Sequence, residues 1–309
     1  MVRIGVVNID TSHPRAFAQI FKNNGKAIYA GIYNDSFRGE EEVQGFMRSA
    51  GIERRFTDLN DLSASVDVGF VQGCDWDTHL AYAEPFIKAG KPVFIDKPIV
   101  GNVRDVQKLR ALDQEGAMIL GSSCMRYAPQ ITEFLAIPEE ERGAIVSLHS
   151  TCGVDEFNYA IHAVEAIGGL VGTGAVHCAY VGGGNVDGIT GESYAVQYEN
   201  GICATYAMTY GQWQKSQVSV LTTKRTYVLE PAGYDAMLDL VVDSVTSGKR
   251  LTASVDALAE SILIMLAGRI SREQGGGAVR LASIPHDDPG FDGASFYKGY
   301  AAAAKPLYM

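Results

Sequence analysis

The first 125 residues alternate short β-rich runs with longer amphipathic runs, and this alternation constrains the fold more than any other feature of the sequence. The alternation is typical of βαβ units that build a parallel sheet. We predict strands at 3–7, 27–33, 54–56, 66–73, 92–96 and 117–122, and helices at 16–23, 41–50, 78–89 and 103–115. The fold class is therefore α/β, with a doubly wound parallel sheet in the amino-terminal half.

From about residue 143 the pattern changes to consecutive β-rich runs, which indicates a mostly antiparallel, open sheet. We predict strands at 144–150, 175–181, 193–198, 203–210 and 218–221, and helices at 156–167, 235–247 and 255–272. A length of 309 residues is typical of about two domains. We expect a ligand-binding α/β domain at 1–123 and an α+β domain for substrate binding and oligomerisation at 124–309. The cleft between them is the expected active site.

Charge and composition exclude several classes of partner. The chain has 26 Lys plus Arg against 36 Asp plus Glu, for a formal charge of -10, which argues against nucleic acid. No apolar run approaches the roughly 18 residues needed to cross a bilayer, so no membrane partner is expected. The five cysteines are scattered singly and the first residues do not form a secretory signal, so we expect reduced thiols and a cytoplasmic location.

The segment 89–98 reads Ala-Gly-Lys-Pro-Val-Phe-Ile-Asp-Lys-Pro and ends at a predicted strand terminus. Ligands of doubly wound sheets bind at such carboxyl strand ends. A partly desolvated Lys97 ammonium there can polarise a hydroxyl or carbonyl and join a proton relay. With His79 before it, the segment resembles the glucose-fructose oxidoreductase and inositol dehydrogenase family (Gfo/Idh/MocA), which has Glu-Lys-Pro at this point. Asp96 replaces the family's Glu, whereas Lys97 and Pro98 match.

The resemblance extends over nearly the whole chain and carries several implications. It implies a Rossmann-like dinucleotide-binding domain and an NAD(P)-dependent oxidoreductase that acts on a CH–OH group of a sugar, polyol or related hydroxy compound. It implies that Lys97 acts beside the nicotinamide and the substrate. It also implies a homodimer or homotetramer, with a small-molecule sugar or polyol as the other partner.

A second match lies in the predicted helix 156–167, where Asn158, His162 and Glu165 share one face at i, i+4 and i+7. This order resembles the family's Asp-x-x-x-His-x-x-Asp. The resemblance implies that His162 is the acid/base on the substrate hydroxyl and that Asn158 contacts the substrate without the Asp charge. A His packed at the domain interface is the alternative. Arg126 is a further candidate substrate contact, with an interdomain salt bridge as its alternative.

The loop after the first strand departs from the family. Residues 8–13 read Asn-Ile-Asp-Thr-Ser-His and contain none of the glycines of GxGxxG, which let the backbone approach a pyrophosphate. A carboxylate at Asp10 about 5 Å from a pyrophosphate would cost about 3 kcal/mol at an effective dielectric of about 20. In one interpretation Asp10 turns away, or caps the helix that opens at 12–14, and leaves free amides for NAD(P).

Two other interpretations stay open for this loop. In the second, carboxylates and imidazoles after strands 1 and 4 converge on a divalent metal, the ligands being Asp10, His13, Asp75, Asp77 and His79. In the third, the dinucleotide site is lost, and Lys97 and His162 serve a non-redox reaction or a binding role. The chain would then be a sugar isomerase, epimerase or lyase, or a catalytically silent binding subunit.

The predicted site follows the first interpretation and contains no metal. Lys97 and His162 are the catalytic residues, and Arg126, Asn158 and His162 contact the substrate. An acidic residue at Asp35 favours the ribose hydroxyls of NAD, and Arg38 favours the extra phosphate of NADP, with NAD preferred. The predicted cofactor-binding residues are Asn8, Asp10, Thr11, Ser12, His13, Asn34, Asp35, Arg38, Cys74, Asp75, Trp76, His79, Asp96 and Lys97.

Overall fold

The computed structural model describes residues 1–308, which form two β-sheets with flanking helices. The strands are β1 (Val2–Val7), β2 (Ala27–Tyr33), β3 (Arg55–Phe56), β4 (Val68–Val71), β5 (Val93–Ile95), β6 (Ile119–Leu120), β7 (Ile145–Cys152), β8 (Ala175–Val186), β9 (Ile189–Tyr198), β10 (Cys203–Thr209), β11 (Gln217–Thr222), β12 (Thr226–Leu229) and β13 (Val279–Arg280). The helices are α1 (His13–Asn24), α2 (Glu40–Ala50), α3 (Leu59–Ala64), α4 (His79–Lys88), α5 (Val103–Gln114), α6 (Pro129–Ala136), α7 (Glu139–Arg142), α8 (Ala160–Val171), α9 (Asp235–Ser247), α10 (Val255–Glu273) and α11 (Gly293–Ala303). None of these helices has the length and apolar character that a membrane span requires.

The first sheet is parallel throughout, with the strand order β3-β2-β1-β4-β5-β6. Every residue of β4 and β5 is buried, as expected for central strands that are covered on both faces. The order of strands along the chain reverses between β1 and β4, and ligands of such sheets bind at this switch point, beyond the carboxyl ends of the strands. This edge therefore positions the candidate site.

Helix α1 begins directly at this edge. Pro14 lies in its first turn, where the fixed backbone angle of proline suits a helix start, so the helix begins three residues before the predicted residue 16. Phe17 and Phe21 are buried against the sheet. Gly25, with a φ of 66°, ends the helix in the left-handed conformation, and its N–H donates to the Phe21 carbonyl.

The second sheet has the order β12-β11-β7-β10-β9-β8-β13, and only β7 and β10 pair in parallel within the described residues. Helices α8 and α10 pack against it. Buried and more exposed residues alternate along β10, as expected of a sheet with one face covered. The predicted α/β fold, with a parallel sheet followed by a mostly antiparallel one, is confirmed.

Several element boundaries differ from the prediction. The helix predicted at 156–167 is α8, which begins only at Ala160, so Asn158 lies in the preceding loop. Helix α9 at Asp235–Ser247 is confirmed at both ends. The sequence analysis did not predict α3, α6 or α7, and it left residues 285–309 without secondary structure although they contain α11.

Residues 291–308, called the covering segment below, return from the second sheet to the first. Phe291 and Tyr308 are buried near its two ends. Helix α9 also crosses between the halves, because Met237 and Leu238 belong to the same hydrophobic cluster as Phe17. The domain boundary between residues 123 and 124 stays a prediction.

Candidate active site

Lys97 is the second residue after β5, and its side chain is buried. Its ammonium donates to the backbone oxygen of Asn158 at 2.8 Å and to the side-chain Oδ1 of the same residue at 3.0 Å. The centre of the Tyr159 ring is 4.9 Å from Nζ, within the range of a cation–π contact. Burial lowers the pKa of Lys97, and the neighbouring Asp96 carboxylate opposes that shift. The ammonium is therefore tethered and partly desolvated.

Asn158 reaches Lys97 from a loop, and its predicted position on a helical face with His162 is wrong. Helix α8 begins two residues after Asn158. The carboxylate of Asp155 accepts the backbone N–H of Tyr159 at 3.0 Å and holds this stretch as a turn. The loop brings both oxygens of Asn158 onto one ammonium, so Asn158 orients Lys97.

His162 lies in the first turn of α8 and is buried. Its Nδ1 is 2.7 Å from Oγ of Ser123, which also accepts the backbone N–H of Met125 at 3.2 Å. Burial, reinforced by the nearby charge of Lys97, lowers the pKa of His162 well below its ordinary value of 6.5. The imidazole is therefore neutral near pH 7, the state in which it can accept a proton.

Asp96 connects the loop after β5 with the start of α1. One carboxylate oxygen lies 2.7 Å from Nδ1 of His13, and the other accepts the backbone N–H of Lys97 at 2.8 Å. Burial opposes the ionisation of Asp96, but His13 and then Lys97 outweigh it and lower its pKa. His13 stacks on Phe17 with ring centres 5.5 Å apart. The His13 side chain thus occupies the position at which GxGxxG has its third glycine.

A cavity of about 40 Å³ adjoins these groups. Ligand pockets have volumes of roughly 300–1,000 Å³, so this space is small for a nicotinamide nucleotide in the present arrangement. Nε2 of Gln72 is fully buried at this wall and has no hydrogen-bond partner within residues 1–308. The lining residues are Thr11, Ser12, His13, Gln72, Gly73, Cys74, Asp96, Lys97, Asn158, Tyr159 and Tyr300.

The loop after β1 is folded by side-chain contacts instead of glycines. Asn8 has a φ of 64°, a left-handed conformation that Asn tolerates better than most residues, and its Oδ1 accepts the Asp35 N–H at 3.1 Å. Asp10 is buried and accepts the Cys74 N–H at 2.8 Å through Oδ2. Ser12 precedes α1 without a side-chain capping bond. The Asp10 carboxylate therefore turns toward β4, not toward the start of α1.

The buried carboxyl group of Asp10 is also unusual for a site that would hold a phosphate. Its Oδ1 is buried without a partner in the described residues, and burial raises the pKa of the carboxyl group. The guanidinium of Arg38 donates to the backbone oxygen of Asp10, at 3.1 Å from Nε and 2.8 Å from Nη2. This contact holds the loop after β1 against the segment that follows β2.

The residues expected to distinguish NAD from NADP are engaged in contacts within the chain. Oδ1 of Asn34 accepts the Ile9 N–H at 3.3 Å. The Asp35 carboxylate accepts hydroxyl hydrogen bonds from Tyr33 at 3.0 Å and Tyr82 at 2.8 Å. Arg38 also pairs with Glu42 at 2.9 Å and donates to the backbone oxygen of Lys305 at 2.8 Å.

The predicted residues after β4 are likewise held in place by the chain itself. Asp75 accepts the Asp77 N–H at 3.1 Å, and Trp76 donates to the Phe291 carbonyl at 2.7 Å. The ring nitrogens of buried His79 face the carbonyls of Ile99 and Gly73 at 3.1 and 3.0 Å. Among residues 1–308, no three His, Cys, Asp or Glu side chains are grouped to hold a metal ion, so the structure gives the metal interpretation no support.

Arg126 forms a buried ion pair. Its Nε lies 2.7 Å from the Glu165 carboxylate, and Nη2 donates to Ser261 at 3.1 Å. Burial opposes the charge of Arg126, but Glu165 outweighs it and raises the pKa of the guanidinium. Both residues lie within the predicted second domain, so this pair is not the interdomain salt bridge that the sequence analysis considered; it joins the segment after β6 to α8.

The covering segment lies across the groove where a dinucleotide would bind. It contacts the loops after β1, β2, β4 and β5 through the pairs Tyr308–Thr11, Tyr297–Phe37, Gly293–Asp77 and Phe291–Gly101. Asp10 adds a buried, unpartnered carboxyl oxygen, and the space beside Lys97 is about 40 Å³. In this arrangement the residues of the groove do not fit a dinucleotide.

Sequence reasoning missed four residues of the site, namely Ser123, Tyr159, Gln72 and Tyr300. Ser123 and Gln72 follow strands of the first sheet at the edge already known to hold ligands, so their position was a usable signal. Tyr159 adjoins Asn158 in the quoted motif. Tyr300 belongs to α11, and no expected element pointed to it.

Comparison with solved structures shows a shared fold over nearly the whole chain. An apo scyllo-inositol dehydrogenase from Lactobacillus casei is 15% identical, with a TM-score of 0.76 over 92% of this chain and 99% of that one. A myo-inositol dehydrogenase from Lactobacillus casei, in complex with NAD(H) and myo-inositol, is 13% identical, with a TM-score of 0.75 over 92% and 98%. A UDP-N-acetylglucosamine 3-dehydrogenase from Acidithiobacillus ferrooxidans is 17% identical, with a TM-score of 0.71 over 87% and 97%.

The amino-terminal half also matches a family model directly. No protein with a curated description matches the chain. Residues 2–121 match GFO_IDH_MocA, described as an oxidoreductase family with an NAD-binding Rossmann fold. Over residues 2–121 the chain therefore resembles the Gfo/Idh/MocA oxidoreductase family, and the resemblance seen in its sequence is confirmed for that part of the chain.

Proposed function

We propose that this chain is an oxidoreductase that acts on a CH–OH group of a sugar, polyol or related hydroxy compound, with NAD preferred over NADP. One observation carries the proposal: a tethered, desolvated Lys97 ammonium and a neutral, buried His162 lie together beyond the carboxyl end of β5. The family match and the inositol and sugar dehydrogenases among the neighbours support this substrate class.

Each residue has a distinct part in this proposal. Oxidation of a carbinol removes the hydroxyl proton, and His162 accepts it because its imidazole is neutral. Lys97 polarises the same oxygen with an ammonium that Asn158 holds in place. Ser123 orients His162, and Asp96 holds His13 at the cavity wall. Asn158 thus orients Lys97 in addition to contacting the substrate.

Calorimetric titration with NADH and NADPH tests the cofactor part of the proposal. We expect saturable binding of NADH in the range up to about 1 mM, which covers ordinary Michaelis constants. The closed groove should make this binding weak. Absence of binding by both nucleotides, also in a variant whose covering segment is released, would contradict the redox assignment.

A non-redox isomerase, epimerase or lyase is the second candidate, and the filled groove is the observation that favours it. The same Lys97 and His162 would then move a proton at a carbon beside a carbonyl. Exchange of substrate hydrogen with deuterated water in the absence of any nucleotide would identify this reaction. A requirement for NAD would exclude it.

We also propose the domain division at residue 123, a homodimer or homotetramer and a cytoplasmic location. Exposed apolar side chains on the second sheet support assembly, among them Val146, Leu221 and Val228. The five cysteines are unpaired and four are buried, as expected in a reducing compartment. Light scattering at micromolar concentration should give a mass above the 33.2 kDa of one chain.

A further inference from the structure

The covering segment lies on the surface that the proposed function assigns to the dinucleotide. We propose that residues 291–308 are an intramolecular occupant of the dinucleotide groove, which must undock before the nucleotide binds. The inference rests on the proposed function and adds its regulation. Thr11, Arg38 and Trp76 were predicted to bind the cofactor, and each donates or accepts a hydrogen bond with this segment.

The first anchor is an aromatic cluster at Phe291. The Phe291 ring stacks on Phe157 with centres 4.0 Å apart, and Trp76 packs edge-on against Phe157 at 4.9 Å. Nε1 of Trp76 donates to the Phe291 carbonyl at 2.7 Å, and the Phe291 N–H donates to the Gly101 carbonyl at 3.0 Å. Trp76, Phe157 and Phe291 are all buried. This end is therefore integrated into the core between the two sheets.

The second anchor is the start of α11, which the loop after β4 caps. The Asp77 carboxylate accepts the backbone N–H of Gly293 at 2.9 Å and of Ala294 at 3.3 Å. A carboxylate stabilises a helix start in this position. A Cβ at position 293 would lie 2.5 Å from Oδ1 of Asp75 and 3.0 Å from the Asp77 nitrogen, so a larger side chain there forces the loop after β4 to shift. Substitution of Gly293 should therefore weaken this anchor.

The third anchor lies at the loop that would hold the pyrophosphate. The Tyr308 hydroxyl donates to the Thr11 carbonyl, and the Tyr308 ring packs edge-on against Phe46 at 5.1 Å. Arg38 donates to the Lys305 carbonyl at 2.8 Å, and the Leu307 N–H donates to Glu42 at 3.0 Å. The segment thereby takes up the Arg38 guanidinium that a nucleotide phosphate or ribose would need.

Between its anchors the segment is only partly buried, and its exposed face includes Gly299, where an added Cβ would meet no neighbouring atom within 4 Å. A ligand that binds only the undocked form has its apparent affinity reduced by the fraction of molecules in that form. Loosening the anchors should therefore strengthen nucleotide binding without any change in the groove. Stronger binding after loosening would distinguish a segment that occupies the groove from a segment that only lies beside it.

The test compares NADH affinity in the full chain, Gly293→Val and the matched control Gly299→Ala, with amide hydrogen exchange of residues 293–303 as a second readout. Gly293→Val should release α11, speed its exchange and lower the NADH Kd by at least about tenfold. Gly299→Ala should not release α11 and should not lower the NADH Kd, and its higher helix propensity should slow exchange of α11 if it changes it. Equal affinities in all three proteins, with α11 released only in Gly293→Val, would overturn the proposal.

A second variant keeps the proposal falsifiable if Gly293→Val does not fold. Tyr308→Phe removes the hydrogen bond to Thr11 and retains the ring, so it should lower the Kd for NADH by a few-fold with an unchanged circular dichroism spectrum. An unchanged or higher Kd would contradict the proposal. Failure of the proposed function is distinct, because then no protein binds NADH even where exchange shows α11 released.

Discussion

The ammonium of Lys97 donates two hydrogen bonds to a single residue, Asn158, at its backbone oxygen and at its side-chain oxygen. Lys97 follows β5 of the parallel sheet. Asn158 precedes α8, which packs on the mostly antiparallel sheet. The contact therefore connects the two halves at the site of proposed chemistry. Movement of one half relative to the other would displace the ammonium.

Lys97→Met should lower turnover at least about a hundredfold, because it removes the charge that polarises the substrate oxygen and retains most of the side-chain volume. Lys91→Met is the matched control, since Lys91 precedes β5 at the opposite end of the strand and should leave turnover unchanged. Steady-state kinetics with a panel of sugars and polyols provides the measurement. Full activity of Lys97→Met would show that Lys97 does not polarise the substrate oxygen.

His162→Ala should have a similar effect on turnover, at least about a hundredfold, with folding intact, because it removes the proton acceptor. Ser123→Ala should lower turnover by about fivefold, since a net hydrogen bond contributes about 1 kcal/mol to holding the ring. Ser123→Thr retains the hydroxyl and should recover part of the loss. Equal turnover in the Ser123 variants and the unmodified chain would show that Ser123 does not orient His162.

His162 also predicts a dependence of stability on pH. Its pKa in the folded chain is well below the ordinary 6.5, so the unfolded chain binds the proton first as pH falls. The contribution of the neutral ring is complete above pH 6.5 and is lost as pH falls from there toward the folded value. Urea unfolding at pH 7.5 and 5.5 should show a smaller loss in His162→Gln, by about 1 kcal/mol. An equal loss in both proteins would contradict burial of a neutral ring.

Arg126→Ala should lower the free energy of unfolding by about 3–5 kcal/mol, because it leaves the Glu165 carboxylate buried without its partner. The matched control is Lys88→Ala, which breaks the exposed pair with Glu84 and should cost less than about 1 kcal/mol. Chemical denaturation measures both values. Equal effects would show that the Arg126 pair is not buried in solution.

Much of the fold was predictable because the spacing of apolar residues changes with the type of element. β1 and β2 are nearly as predicted, and α9 agrees at both ends. Lys97 was found for a related reason, since it follows a predicted strand at the edge where such sheets bind ligands, whereas the role of His162 was implied by the family resemblance. Local sequence carries this information.

The remainder depends on contacts between distant segments. Asn158 was placed on a helix because the helical spacing continues before α8, and the Asp155 turn that interrupts it is a single side-chain contact. The position of Asp10 depends on the Cys74 N–H, 64 residues away in the sequence. α11 was not predicted, because its sequence mixes glycines and alanines with aromatic residues that find partners only in the groove.

The fate of the carbinol hydrogen tests the central claim most directly. Gly293→Val would be incubated with NAD and with myo-inositol and glucose deuterated at their carbinol carbons, followed by mass spectrometry of the nucleotide and of the solvent. The account predicts that deuterium appears in NADH and that Lys97→Met in the same background abolishes the transfer. Deuterium that passes into water while NAD stays oxidised would contradict it.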